Sequence, residues 1–336
     1  MPVQYMGILQ EYEQTRSKTS IFDTCHMGEF MIKGDCQKSG LDRIVTQPIK
    51  DMPVKSCRYG CMLSESGGVI DDLIVYRLAQ EEWMLVVNGA TTKKDEDHVF
   101  GQLSSDSAFN NISSALGKLD IQGPLAREVV GQFVKGIEKL KFYEFDVFDV
   151  LGEKNIVSRT GYTGELGYEI YFSWQRMPEL WQTLLKNPSV KAAGLGARDL
   201  LRIEMCYSLY GHELDDTISP LEAGLEKFID FEKDFIGREA LRSQKKSGVL
   251  RKLVYVASQT RQSPRHGQKI TDSNGKEIGM VTSGTFSPHL KCGIGIAFVS
   301  TKADLKDKNF FCGNEKTKIL LKLASRPFYK DGSLKN

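Results

Sequence analysis

The chain has 336 residues, too many for one ordinary core and enough for two or three domains. Hydrophobic residues at 40% and aromatics at 10% suffice for a globular interior, while 45 basic against 43 acidic residues leave a formal charge of +2. That near balance gives no overall basic footprint for nucleic acid, and no apolar run reaches the length of a membrane-spanning helix. Arg251-Lys252 and Lys316–Lys322 are short basic clusters of the kind a solvated face carries. Met1-Pro-Val-Gln-Tyr5 lacks the basic head and apolar core of a secretory signal. The seven cysteines (25, 36, 57, 61, 206, 292 and 312) are odd in number and lack framework spacing, which suits a reducing compartment. Cytoplasm is the expectation, or a mitochondrial matrix after removal of a transit peptide.

In chain order, a helix is expected from Ile8 to Arg16, then short extended pieces around Phe22 and Phe30. Val69–Tyr76 and Trp83–Val87, joined by the polar Gln80–Glu82, read as an antiparallel hairpin. Thr91–Phe100 reads as a helix with Thr91 or Thr92 at its N-cap, and Gly123-Pro124 open another. Met177, Leu180, Trp181, Leu184 and Leu185 mark one face of an amphipathic helix, with Pro178 in its first turn. Hairpins and helices without regular alternation indicate an α+β chain rather than a doubly wound sheet. The polar, basic Arg242–Lys252 segment reads as a linker. Beyond it, short strands at Leu253–Ala257, Lys269–Thr271, Gly279–Thr282, Gly293–Val299 and Lys318–Leu323 suggest a small β-barrel or sandwich. The expected division is 1–245, containing two interleaved subdomains, and 246–336.

The densest motif is Ser158-Arg-Thr-Gly-Tyr-Thr-Gly-Glu-Leu-Gly-Tyr-Glu169, followed downstream by Gly194-Leu-Gly-Ala-Arg-Asp199. Its three glycines permit tight bends and close ligand approach, and no helix or strand period explains their spacing. Glu169 can accept two parallel hydrogen bonds from an amino-pyrimidinone edge; alternatively it lies on an outer strand face beside a basic neighbour. Arg198 suits a carboxylate, or else it bridges to Glu204 or a neighbouring strand. In an extended strand Ile70, Asp72, Ile74 and Tyr76 share one face and Val69, Asp71, Leu73 and Val75 the other. Both aspartates thus sit among apolar neighbours, where a carboxylate needs a partner or shifts its pKa. Cys25, His26, Cys57 and Cys61 fit zinc spacing only loosely, so no metal is expected. Gly194-x-Gly196 lacks the third glycine of a dinucleotide fingerprint.

Together the two dense motifs resemble the T-protein of the glycine cleavage system, a tetrahydrofolate-dependent aminomethyltransferase family. Gly67-Gly-Val-Ile-Asp-Asp-Leu-Ile-Val75, Phe22-Asp-Thr-Cys-His-Met27, Tyr210-Gly-His-Glu-Leu-Asp-Asp-Thr-Ile-Ser-Pro220, Asp234-Phe-Ile-Gly-Arg-Glu-Ala-Leu241 and Thr282-Ser-Gly-Thr-Phe-Ser-Pro288 match it in the family's order across nearly the whole chain. Family members usually carry a further segment ahead of the part resembling Met1–Tyr5. The resemblance implies a multidomain α+β fold, with a discontinuous folate-binding region and a C-terminal β-barrel. It implies transfer of an aminomethyl group from the lipoyl arm of H-protein to tetrahydrofolate, with release of ammonia. It places Asp72 beside the reacting folate nitrogens and Glu169 on the pterin. Tyr59, Tyr162, Arg198, Met27 and Tyr207 (the last on the helix that Arg198 opens) would line the folate site. Two alternatives stay open: a folate-dependent demethylase of a small donor, and a non-enzymatic folate-binding scaffold. The Lys-Gly-Cys-Tyr-x-Gly-Gln-Glu motif of the scaffold relatives is absent.

Overall fold

The computed structural model describes residues 1–305, 309–313 and 317–335; Lys316 of the C-terminal basic cluster lies outside them. Three sheets organise the chain. The first has six strands in the order Val190–Ala192, Thr19–Asp23, Leu116–Gln122, Gly167–Ser173, Glu153–Ser158, Phe145–Val150. The second has five, in the order Ser56–Leu63, Val69–Ala79, Glu82–Val87, Gly28–Lys33, Ala108–Asn111. The chain lays down one strand of the first sheet, builds the whole second sheet, and returns at Leu116. The third sheet closes on itself as a barrel of Arg251–Ser258, Cys292–Ser300, Glu277–Ser287, Lys269–Thr271, Phe310–Gly313 and Lys318–Leu323. Closure decides between barrel and sandwich and leaves no open edge.

The Ile8–Ser17 and Met177–Leu185 helices and the hairpin of Val69–Ala79 with Glu82–Val87 fall where the sequence places them. Four details differ. Residues 242–252 are not a linker: the Arg238–Ser247 helix and the start of the Arg251–Ser258 strand occupy them. Its one-sided apolar pattern, with Leu241 as the buried residue, is hidden among lysines and arginines. Thr91 stands at the N-cap of the Thr92–Gln102 helix, but its hydroxyl donates back to the Asn88 carbonyl. Pro124 stands one residue ahead of the N-cap rather than in the first turn, since the next helix runs Ala126–Gly131 with Leu125 at its N-cap, and the Gly123 carbonyl accepts from the Ala126 N–H. The Phe310–Gly313 strand was not anticipated.

The first sheet has two unlike faces because Leu116–Gln122 alternates. Leu119 and Ile121 enter an apolar cluster with Val129, Tyr168, Ile170, Phe172, Leu180 and Leu184. Lys118, Asp120 and Gln122, also buried, point to the opposite side, toward the second sheet. Tyr76 of the second sheet meets Tyr171 of the first edge-to-face at 5.7 Å and accepts its hydroxyl proton at 3.0 Å. The Leu195–Glu204 helix is pinned to the barrel by Arg202, which is 1% exposed. Its guanidinium donates to Asp199 (2.8 Å), the Tyr207 carbonyl (3.0 Å), Glu213 (2.8 Å) and the barrel hydroxyl of Ser283 (2.6 Å). Glu213 also accepts from Thr282.

Breaking this joint on one side strands a buried charge. Arg202→Met is expected to destabilise the fold by roughly 3–5 kcal/mol, read as a lowered denaturation midpoint. Arg202→Met combined with Glu213→Gln should recover part of that loss. A double variant no more stable than the single one would remove the pairing explanation.

Candidate functional site

Asp71 and Asp72 lie on the Val69–Ala79 strand with their side chains on opposite faces, as the alternation requires. Asn88, just past the end of the Glu82–Val87 strand, clamps both. Its backbone N–H donates to Asp71 Oδ2 at 2.9 Å, and its Nδ2 donates to Asp71 Oδ1 at 2.8 Å and Asp72 Oδ1 at 2.9 Å. The other Asp72 oxygen accepts from Tyr59 Oη at 2.9 Å. Burial, and after it the charge of Asp71, push the Asp72 carboxyl up to about 7. Behind Asp71 stands Asp95 of the Thr92–Gln102 helix, fully buried and pushed up to about 9 by burial and by Asp71. Burial raises the pKa of Asp71 as well, and its charge in turn raises both Asp72 and Asp95.

Facing this cluster is the polar side of the first sheet. Glu169, across from Asp120 in register, accepts from Lys118 Nζ at 2.6 Å and from the Thr160 hydroxyl. Glu169 is therefore not on an outer face: it is 4% exposed, turned inward, and ion-paired. Lys118 also reaches Asp120 Oδ1 at 3.2 Å, and Asp120 Oδ2 accepts from Arg198 Nη1 at 2.7 Å. A continuous chain of charge, Glu169–Lys118–Asp120–Arg198, thus crosses three elements. Burial opposes the charge on Asp120, but Lys118 and Arg198 outweigh it and hold the carboxyl well below its ordinary range. Glu29, on the neighbouring strand of the second sheet, lies near the same charges, and burial pushes it up to about 8.

Aromatic rings close the site. Arg198 lies 4.9 Å over the Tyr162 ring, which stacks on Tyr207 at 5.6 Å and 25°. Tyr162 donates its hydroxyl to the Ser208 carbonyl and comes within electrostatic reach of Asp72 and Tyr59. Tyr207 is not on the helix: the Leu195–Glu204 helix stops short, and Cys206, with φ of 58°, turns the chain so that Tyr207 comes back over Tyr162. Tyr59 is held edge-on by Phe228 at 4.7 Å. Met27 packs with Cys57, Tyr76, Phe145 and Tyr171 at the seam between the two sheets. Six of the seven residues singled out from the sequence therefore connect through direct contacts or charge, and Met27 lines their border.

The glycines of the dense motif serve the protein's own packing. A side chain on Gly161 or Gly167 would overlap the Gln122 amide, and Gly164 takes φ of 81° beside Met205. Glu165 anchors Arg16 (2.8 Å) and Ser333 (2.8 Å to its N–H). Among the described residues no group of three or more His, Cys, Asp and Glu is arranged to hold a metal ion. Cys25 is pushed up to about 12 by burial and by Asp23, which disfavours its thiolate. Lys118, Asp120, Thr160 and Asn88 were missed from the sequence. The signal for the first two was present as polar residues alternating with Leu119 and Ile121; Asn88 gave none beyond its place at a strand end.

Comparison with known proteins agrees with this geometry. Residues 1–233 match the family model of the GCVT N-terminal domain, and residues 251–330 match that of the glycine cleavage T-protein C-terminal barrel domain. Curated aminomethyltransferases from Flavobacterium psychrophilum (38% identical over 98% of this chain and 93% of theirs) and a Geobacillus species (40%, over 98% and 92%) are similar along their length. The crystal structure of glycine cleavage system aminomethyltransferase T from Bartonella henselae superposes with a TM-score of 0.91 at 29% identity, covering 99% of this chain and 92% of that one. Fold and relatives define a tetrahydrofolate-dependent transferase. The chain belongs to the glycine cleavage T-protein family, the aminomethyltransferases.

Glu29 carries a pH signature. Its folded pKa lies above the unfolded value, so the unfolded chain holds fewer protons between about pH 4.5 and 8, and stability falls as pH rises through that window. Glu29→Gln cannot ionise, so its unfolding free energy should gain on that of the wild type between pH 5 and pH 8. The gain should amount to on the order of 1–3 kcal/mol, the cost of an unpaired buried group. A pH-independent difference in calorimetry would show that Glu29 is not the group responsible.

Proposed function

We propose that the pocket between Asp72 and Glu169 is where an aminomethyl group, carried on the lipoyl arm of an H-protein, passes to tetrahydrofolate with release of ammonia. The observation that carries this reading is the setting of Asp72. It is a carboxyl group held on both oxygens by Asn88 and Tyr59, within electrostatic reach of Tyr162, which lies between Tyr207 and Arg198. The residues fit a folate. Glu169 has about four lone-pair positions and fills two internally, one on each oxygen, leaving a parallel pair for an amino-pyrimidinone edge. Arg198 engages Asp120 through Nη1, and its side chain keeps 16% exposure. Tyr59, Tyr162, Tyr207 and Met27 supply the apolar and aromatic walls that a ring system needs.

Tetrahydrofolate, when bound, supplies the nitrogen that takes the carbon. The chain contributes electrostatics and position. Asp72, fixed before the reaction, stabilises positive charge that develops near it as ammonia departs, and partial exclusion of water strengthens that effect. Asn88 and Tyr59 prevent its carboxylate from reorienting. No metal enters this scheme. The seven free cysteines accord with a reducing compartment such as the cytoplasm.

The direct test is ammonia release from aminomethyl-loaded H-protein. Release that requires both the carrier and tetrahydrofolate is expected; folate binding without release would favour a demethylase or a scaffold instead. Asp72→Asn should lower turnover by about 10²–10³-fold while leaving folate affinity nearly intact, and an equal loss of both would remove its catalytic role. Because Asp72 must be ionised, kcat/KM should fall below an acid limb near pH 7. Asp71→Asn, which removes the neighbouring charge, should move that limb to lower pH, and a stationary limb would assign it to another group.

A further inference from the structure

Lys118 is the feature that the proposed reaction leaves unexplained. A lysine 1% exposed, in the middle strand of a sheet, is costly unless every part of its ammonium is matched. Although burial opposes its charge, Asp120 and Glu169 outweigh burial and keep it protonated. An ammonium has three N–H donors. Two of them meet Glu169 Oε1 at 2.6 Å and Asp120 Oδ1 at 3.2 Å. The third points to a requirement for an acceptor that the ion chain does not supply. Asp120 alone is already matched by Arg198 and Thr24 (2.8 Å), so neutralising it does not call for a lysine.

The order of groups along this edge is specific. Lys118 sits beside Glu169 Oε1, and each Glu169 oxygen retains an unfilled acceptor position, giving donor, acceptor, acceptor. The complement is acceptor, donor, donor. A 2-amino-4-oxo pyrimidine ring presents that series in its C4 carbonyl, its N3–H and its 2-amino group. A 4-amino ring turns an N–H toward the ammonium and a bare nitrogen toward the carboxylate, which reverses two of the three contacts.

We propose that Lys118 and Glu169 act as one reading edge, in which Lys118 selects a folate that carries a carbonyl, rather than an amino group, at ring position 4. The assignment rests on the folate reading of this site, and it makes Lys118 a specificity-determining residue of that site.

The test compares binding of tetrahydrofolate and of 4-amino-tetrahydrofolate, which differ only at that substituent, by anaerobic calorimetry on the full chain. The wild type should prefer tetrahydrofolate. Lys118→Met should weaken tetrahydrofolate by about 10–100-fold more than it weakens the 4-amino compound, the size of a lost hydrogen bond to a charged group. Lys118→Gln keeps a polar group whose amide can turn either its N–H or its oxygen to the ring. It should flatten the preference, and it carries the test if the methionine variant does not fold. An unchanged ratio of the two affinities in either folded variant, whatever the absolute loss, would overturn the role of Lys118 and leave the folate site standing. Failure of the wild type to bind tetrahydrofolate would overturn the folate reading itself, and this inference with it.

Discussion

The buried ion chain Glu169–Lys118–Asp120–Arg198 is the constraint on which the rest of the site depends. Each member taken alone would be driven to neutrality or out to solvent, because a desolvated charge costs several kcal/mol even after relaxation. Linked, two carboxylates and two cations balance, with Thr24 and Thr160 donating to the carboxylates. Such a chain tolerates little movement, since sliding one partner leaves another uncompensated. It therefore fixes the inner face of the first sheet to the helix that carries Arg198, and Arg198 in turn fixes Tyr162 beneath it. The aromatic wall stands where the charges put it.

On the opposite wall the same physics takes another form. Burial raises the pKa of both Asp71 and Asp95, and Asn88 supplies donors to Asp71. One wall is thus balanced by countercharge, whereas on the other burial opposes the charged form. The consequence is a site whose two carboxyl groups differ in their partners. Glu169 is ion-paired to Lys118 even though burial raises its pKa, whereas Asp72 is held only by the neutral donors Asn88 and Tyr59 and is pushed up to about 7. The proposed division, recognition by the first and chemistry by the second, rests on that contrast.

Much of the architecture was legible from residue order. The hairpin around Asp71-Asp72 and the short C-terminal strands announced themselves through β-branched runs and turns, because those signals are local. The motifs Tyr210–Pro220 and Thr282–Pro288 were visible as matches, but their purpose was not. They meet in space, where Glu213 accepts from Arg202 and Thr282, and Glu204 accepts from Ser287. No local period encodes a partner some 70 residues away. The glycines near Glu169 were expected to admit a ligand; the Gln122 amide and Met205 occupy the space instead, a long-range contact that spacing cannot express. Tyr207 was placed on a helix because helical periodicity continues past Glu204 in the sequence, whereas the positive φ at Cys206 stops it in the fold.

The path of the chain between the first two sheets has a consequence for synthesis. Thr19–Asp23 pairs with Leu116–Gln122 on one side and, in parallel, with Val190–Ala192 on the other. The five-stranded sheet lies wholly between Gly28 and Asn111, so all its strands have been made before the older strand acquires either neighbour. During translation, then, Thr19–Asp23 waits with both edges unpaired while a later-made domain matures, and edges of that kind recruit other chains. An early strand that depends on partners made so much later makes the rate of elongation, and any chaperone that shields residues 19–23, part of how this protein reaches its fold.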